Sequence, residues 1–312
     1  MQRINVKRSL RPEAQPARKL ALALVTPARN EAALVESTIQ AVIAQTVRPV
    51  RWIIVSDGST DGTDDIVKDY AETYDWVEYL RMPERRERHF GGKAIAFNAA
   101  YERLRNVNYD IIGNLDADIT IEQDQFALLL EKFQQNPRLG VAGAPFRDGA
   151  HLYDYRFTSI EHVSGACQLF RRECFEDIGG YKPVQLGGVD LIAVTTARMK
   201  GWETRTFPDR VCTHHRKVGS AERGWLEIAF RGGMGDYRLG MHPLWEIVRT
   251  PYQLTKRPII AGGYLRLLGF FWAMVSNKKK VIPADVEKFR RKEQINRLHA
   301  WFRRLCPRRG QV

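Results

Sequence analysis

From Leu20 onward, short apolar runs alternate with helix-length amphipathic stretches, the pattern of strands joined by crossover helices in a mainly parallel sheet. Residues 20–26 (LALALVT) read as the first strand and residues 31–45 as the first helix. Residues 50–56 (VRWIIVS), 63–74 and 77–81 continue as strand, helix and strand. A glycine pair, Gly91 and Gly92, opens a helix over residues 93–104, and residues 109–115 (YDIIGNL) make a fourth strand. Beyond it, Phe126, Leu129, Leu130 and Phe133 recur at the spacing that lays one helical face on a sheet. Residues 203–212 predict a later strand, and no internal repeat is evident. The fold class expected is α/β, a Rossmann-like, mainly parallel sheet flanked by helices.

The pattern changes from about residue 224. Trp225, Phe230, Trp245, Tyr252, Tyr264 and Trp272 are mixed with isolated Arg and Lys, culminating in residues 259–276, IIAGGYLRLLGFFWAMVS. Those 18 residues are interrupted by Arg266 and fall short of the roughly 20 that span a bilayer. The segment reads as lying in, or re-entering, a membrane interface, with a single span as the weaker option and a buried core helix as the plain structural one. The adjacent Lys278-Lys279-Lys280 favours an anionic leaflet.

Composition sets few further limits. With 312 residues, 44% hydrophobic and 27% charged, the chain has length for a sizeable core and is neither disordered, collagen-like nor polytopic. Its net charge of +13 gains meaning only when located: residues 1–20 carry +5, residues 277–312 carry +9, and the body between them carries −1. The four cysteines have no paired spacing, which suits reduced thiols, and the polar, basic start predicts no secretory leader and a catalytic body facing the cytoplasm.

Ligands of open α/β sheets bind beyond the carboxyl ends of the strands, and acids stand at three such places. They are Glu31 in Pro27-Ala28-Arg29-Asn30-Glu31, Asp57 in Asp57-Gly58-Ser59-Thr60-Asp61-Gly62-Thr63, and the pair Asp116-Ala117-Asp118. Alternate residues at a strand end point the same way, so Asp116 and Asp118 are placed to converge on one divalent cation. Asp57 suits either a turn and helix cap or a hydrogen bond to a nucleobase or ribose. Lys93 follows two glycines, but Glu87 and Ala94 break the P-loop pattern; a lysine at a helix start can still touch phosphate.

Together these motifs resemble the family 2 glycosyltransferases of the GT-A fold, over about residues 21–216. The resemblance implies a nucleotide-sugar half over residues 20–118 and an acceptor half over 119–222, preceded by a basic arm (1–19) and followed by a helical membrane-associating region (223–312). It implies donor contacts from Pro27, Arg29, Glu31, Asp57, Lys93 and Asp116, and Mg²⁺ or Mn²⁺ on Asp118 and His215. His214 and Arg216 would flank the diphosphate, and Gly165, Ala166 and Cys167 would line the acceptor side. Gly187-Gly188-Val189-Asp190 resembles the acidic motif whose last Asp is the catalytic base, though Val189 stands where the family usually has an acid. The processive Q-x-x-R-W is absent, with Arg223-Gly224-Trp225 its nearest fragment, which implies a single addition.

The activity expected is a metal-dependent inverting transfer of a sugar to a lipid-linked glycan, by a peripheral or monotopic protein on the cytoplasmic face of the plasma membrane. Its partners would be the nucleotide-diphosphate sugar, the acceptor and the anionic membrane surface, and no nucleic acid. Two rivals are an anionic-surface or nucleic-acid binder with an idle body, and a nucleotidyltransferase. The first needs a basic, aromatic-interleaved patch in the sheet region and the second a glycine-rich basic loop after the first strand; Pro27-Ala28-Arg29-Asn30 supplies neither.

Overall fold

The computed structural model describes residues 18–84, 91–148, 151–152, 159–184, 186–215, 224–255 and 259–305. The alternating pattern becomes β1 (Leu22–Ala28), α1 (Val35–Ile43), β2 (Arg51–Ser56), α2 (Thr63–Thr73), β3 (Val77–Arg81), α3 (Gly91–Arg103) and β4 (Ile111–Leu115). There follow β5 (Ile119–Thr120), α4 (Gln125–Gln135), β6 (Leu139–Gly143), β7 (Phe146–Asp148), β8 (His151–Leu152) and β9 (Cys167–Arg171). Next come α5 (Arg172–Asp177), α6 (Val189–Met199), β10 (Glu203–Thr206) and β11 (Cys212–His214). Four helices end the described chain: α7 (Trp225–Arg238), α8 (Pro243–Leu254), α9 (Ala261–Val275) and α10 (Ala284–Leu305).

Seven strands form the main sheet in the order β10-β6-β9-β4-β1-β2-β3. β1 is parallel to β2 and β4, so their carboxyl ends share one edge, whereas β9 runs antiparallel to both β4 and β6. The start of β9 therefore reaches the edge where β4 stops, with Leu115 opposite Cys167. The pleat sends alternate residues to opposite faces: Leu22, Leu24, Trp52 and Ile54 enter one core, and Ala23, Val25, Ile53 and Val55 the other. On α4 the buried residues include the four picked out by spacing, Phe126, Leu129, Leu130 and Phe133.

Three of the boundary differences from the sequence reading bear on the site. The first strand continues through Pro27 to Ala28, because losing one donor near a strand end is tolerable while Val55 and Ser56 still pair beside it. The first helix starts late, since Asn30 takes a left-handed φ of 55° and residues 31–34 make a turn on the Glu31 carbonyl. The strand expected over 203–212 is two strands: β10 joins the main sheet, and β11 joins a second sheet of order β5-β11-β7-β8.

Helix α9 packs on α7 through glycines. A Cβ on Gly233 would lie 1.8 Å from the Arg266 carbonyl oxygen, and one on Gly269 would lie 2.0 Å from that of Phe230. Such closeness requires bare backbone on both helices. Beside it lies a buried ionic cluster, where Arg249 Nη2 donates to Asp236 at 2.6 Å and Glu246 at 2.9 Å, and Arg266 Nε donates to Asp236 at 2.7 Å. Helix α10 turns back to the catalytic body, where Arg198 on α6 grips Glu293 with bonds of 2.7 and 2.9 Å. Among the described residues no helix is long and apolar enough to cross a membrane.

Burial pushes the Glu246 carboxyl up to about 6 against the pull of Arg249. The folded state thus holds this proton more tightly than the unfolded chain. Glu246 is expected to contribute its full stability below its ordinary value of 4.5 and to lose it as pH rises through about 6. Denaturant midpoints of wild type and Glu246→Gln measured across that window check this: the wild-type midpoint should fall relative to the variant. Parallel curves would refute it.

Candidate active site

Three parallel strand ends set out the acids. Asp57 follows β2, and its N–H donates to Ala28 at the end of β1 at 2.8 Å, locking the two loops side by side. Across the join, Arg29 Nη1 lies 3.9 Å from Asp57 Oδ2. The two loops are knitted further by Asn30, which receives Thr60 N–H at 2.9 Å, and by Glu31, whose N–H donates to Thr63 Oγ1 at 2.8 Å. Pro27 sits between these loops and the sheet as the penultimate residue of β1.

After β4 the chain turns at once, so the pleat argument for Asp116 and Asp118 does not apply beyond Leu115. The two carboxylates instead have separate partners. Asp116 pairs with Lys93 from the first turn of α3 and accepts Asn114 Nδ2 at 3.1 Å. Burial pushes its carboxyl above the ordinary carboxylate range, with the Lys93 ammonium opposing that shift. Lys93 Nζ also donates to the Gly165 carbonyl at 3.0 Å.

Asp118 faces the second sheet. Pairing of β11 with β5 sets His214 opposite Ile119, leaving His214 Nε2 3.3 Å from Asp118 Oδ2. Neighbouring residues of a strand point to opposite sides, so His215 turns away, its Nε2 2.9 Å from Thr120 Oγ1. It is His214, not the preferred His215, that the structure brings to Asp118. Arg216 lies outside the described residues.

The far wall comes from β9 and α6. Asp116 N–H donates to Ala166 O at 3.0 Å, which holds Gly165 and Ala166 against the Asp-x-Asp turn. Cys167 is fully buried, so its side chain enters the core rather than the crevice. Gly188, with φ of 86°, caps the start of α6. Two residues on, Asp190 accepts Gly165 N–H through Oδ2 at 3.1 Å and Leu191 N–H through Oδ1 at 2.8 Å. Asn114 completes this wall and was missed in the sequence. It is fully buried and donates to both Asp116 and Gly165, the latter at 2.5 Å. The available signal was a lone polar residue inside an apolar strand.

Glycosyl transferase family 2 matches residues 23–165, the stretch that holds all three strand-end motifs. That stretch is similar to the family 2 glycosyltransferases. The poly-beta-1,6-N-acetyl-D-glucosamine synthase of Staphylococcus epidermidis is 24% identical over 242 residues, 71% of this chain and 56% of that protein. The chain thus spans little more than half the length of that relative. Among solved structures, the mannosyltransferase PcManGT from Pyrobaculum calidifontis, in complex with GDP-Man and Mn²⁺, shares the fold with TM-score 0.57 and 21% identity, covering 94% of this chain and 89% of that one. S. aureus TarS in complex with UDP-GlcNAc gives TM-score 0.52 at 14% identity, covering 82% and 73%. These likenesses establish the α/β, GT-A-like fold of the chain. The match favours the glycosyltransferase reading over the idle-body and nucleotidyltransferase readings.

The residues fit a divalent cation. A carboxylate and an imidazole nitrogen 3.3 Å apart have the spacing of adjacent ligands on an ion with bonds of about 2.1–2.3 Å. His214 Nδ1 is buried with no hydrogen-bond partner among the described residues, so the outer partner that ordinarily orients a metal-bound imidazole is not supplied by them. No group of three or more His, Cys, Asp or Glu side chains converges there among the described residues. Two protein ligands completed by donor phosphate oxygens is a common way of holding Mg²⁺ or Mn²⁺.

Proposed function

We propose that this glycosyltransferase moves a sugar, with inversion, from a nucleoside-diphosphate sugar to a hydroxyl of a lipid-linked glycan at the cytoplasmic face of the plasma membrane. The observation that carries the reading is the convergence of Asp57, Asp116 and Asp118 on one sheet edge, with Asp190 held on the opposite wall by Gly165. The nucleoside lies against Pro27, Arg29, Glu31 and Asp57. Lys93 and Asp116 position the diphosphate, and Asp118 with His214 holds Mg²⁺ or Mn²⁺. Bound metal supplies positive charge against the charge growing on the leaving diphosphate.

Asp190 takes the proton of the acceptor hydroxyl as that oxygen bonds to the anomeric carbon. The bond from that carbon to the diphosphate breaks, and its electron pair leaves with the nucleotide. One displacement inverts the configuration, and no covalent enzyme intermediate forms. Gly165 and Ala166 border the acceptor, close enough to Asp190 that its hydroxyl meets a fixed carboxylate. The GDP-Man and Mn²⁺ of one structural neighbour and the UDP-GlcNAc of another support the donor class.

Nucleotide release from UDP-, GDP- and dTDP-sugars, with and without Mn²⁺, tests the reading. One donor is expected to turn over only with metal, and Asp118→Ala is expected to lose more activity at limiting Mn²⁺ than the roughly tenfold to hundredfold that losing an outer-shell partner costs. Metal-independent turnover, or an Asp118→Ala protein with unchanged Mn²⁺ dependence, would overturn the metal assignment.

A further inference from the structure

Helix α9 has two apolar sides, and only one is used. Gly262, Gly263, Gly269, Phe270 and Ala273 are buried, while Tyr264, Leu268, Trp272 and Val275, spaced by four, four and three residues, are exposed by 41–83%. That spacing is a single stripe along the helix. Exposed Trp225 and Leu226 stand at the start of the partner helix α7, and the ring of Phe230 packs 5.8 Å from that of Trp272. Among the described residues, every other exposed large hydrophobic except Val50 and Leu186 also lies beyond residue 224. The catalytic body hides its apolar side chains, and the helical end displays them.

We infer that the α9 stripe, with the exposed start of α7, is a docking face for an anionic lipid bilayer. The inference rests on the proposed lipid-linked acceptor and names the surface that would bring the crevice to it. Charge selects this occupant. In sequence the stripe is bracketed by Lys256-Arg257 and Lys278-Lys279-Lys280, and Lys278 Nζ lies 4.7 Å over the Trp272 ring. A second copy of the chain would bring like charges together around the apolar contact, whereas anionic headgroups neutralise them. Trp and Tyr beside aliphatic side chains suit the headgroup boundary, where a ring meets both water and acyl chain. The face is too short to span, and a helix lying in the interface plane requires no span.

Flotation of the full chain with vesicles of phosphatidylcholine and phosphatidylglycerol, without donor or metal, tests this. Wild type and Asp190→Asn are expected to float equally. Leu268→Glu/Trp272→Glu should lower the bound fraction at least tenfold while circular dichroism and donor hydrolysis stay unchanged. Lys279 is exposed, and Lys279→Glu should weaken binding by about fivefold or more, as expected for a basic residue near an anionic surface. Absence of wild-type flotation, flotation unaltered by the double substitution, or a lipid-free dimer split by it would overturn the inference. Flotation intact in a protein that turns over no donor would count against the transferase reading alone.

Discussion

Asp190→Asn is expected to lower sugar transfer by about a thousandfold, the range set by removing a positioned general base, while donor affinity changes little. The carboxylate is fixed by two backbone donors, Gly165 N–H at 3.1 Å and Leu191 N–H at 2.8 Å. An asparagine keeps the volume and one acceptor oxygen, but its amide cannot take the acceptor's proton. The loss should therefore appear in kcat with KM for the donor unchanged, the signature of an interaction made in the transition state. Metal-dependent transfer surviving within tenfold of wild type would remove Asp190 from the reaction, and Val189 in place of the usual preceding acid would then read as the mark of a displaced base.

The second large effect is on stability. Gly233→Ala places a methyl 1.8 Å from the Arg266 carbonyl oxygen, and the obstacle is backbone, so no rotamer change relieves it. Helices α7 and α9 must part, exposing Phe270, which is fully buried. Overpacking of this kind costs about 3 kcal/mol or more, read as a fall in the denaturant midpoint of the helical region. Gly235, in the same helix, has nothing within 4 Å of its would-be Cβ. Gly235→Ala should be neutral or stabilise by up to about 1 kcal/mol, because alanine is the better helix former. Equal small gains in both variants would show that the glycines act through helix propensity rather than through contact.

Much of residues 20–118 was legible because the information there is local. Alternation marked β1 to β4, the i, i+3, i+4, i+7 spacing marked α4, and acids after apolar runs marked Asp57, Asp116 and Asp118. What the sequence could not convey depends on pairing between distant segments. The insertion of β9 antiparallel beside β4 decides that Gly165 meets Lys93 and Asp190, and nothing in CQLFR announces a direction. The choice of His214 over His215 follows from the register of β11 on β5, because a one-residue slip would exchange the two rings. In the helical region the aromatics were visible, but which side of α9 they occupy depended on glycines whose use is a neighbouring backbone.

One unbroken sheet runs beneath both halves of the crevice, because β9 is hydrogen-bonded to β4 on one side and to β6 on the other. No break in strand pairing therefore separates the wall that carries Asp116 from the strand β6 beyond β9, and a hinge between them would have to break ladder hydrogen bonds. Whatever gating accompanies turnover must reside in segments above the strands. On the proposed reading, exchanging those segments would change the acceptor while the strand ends that carry Asp57 and Asp116 stay as they are.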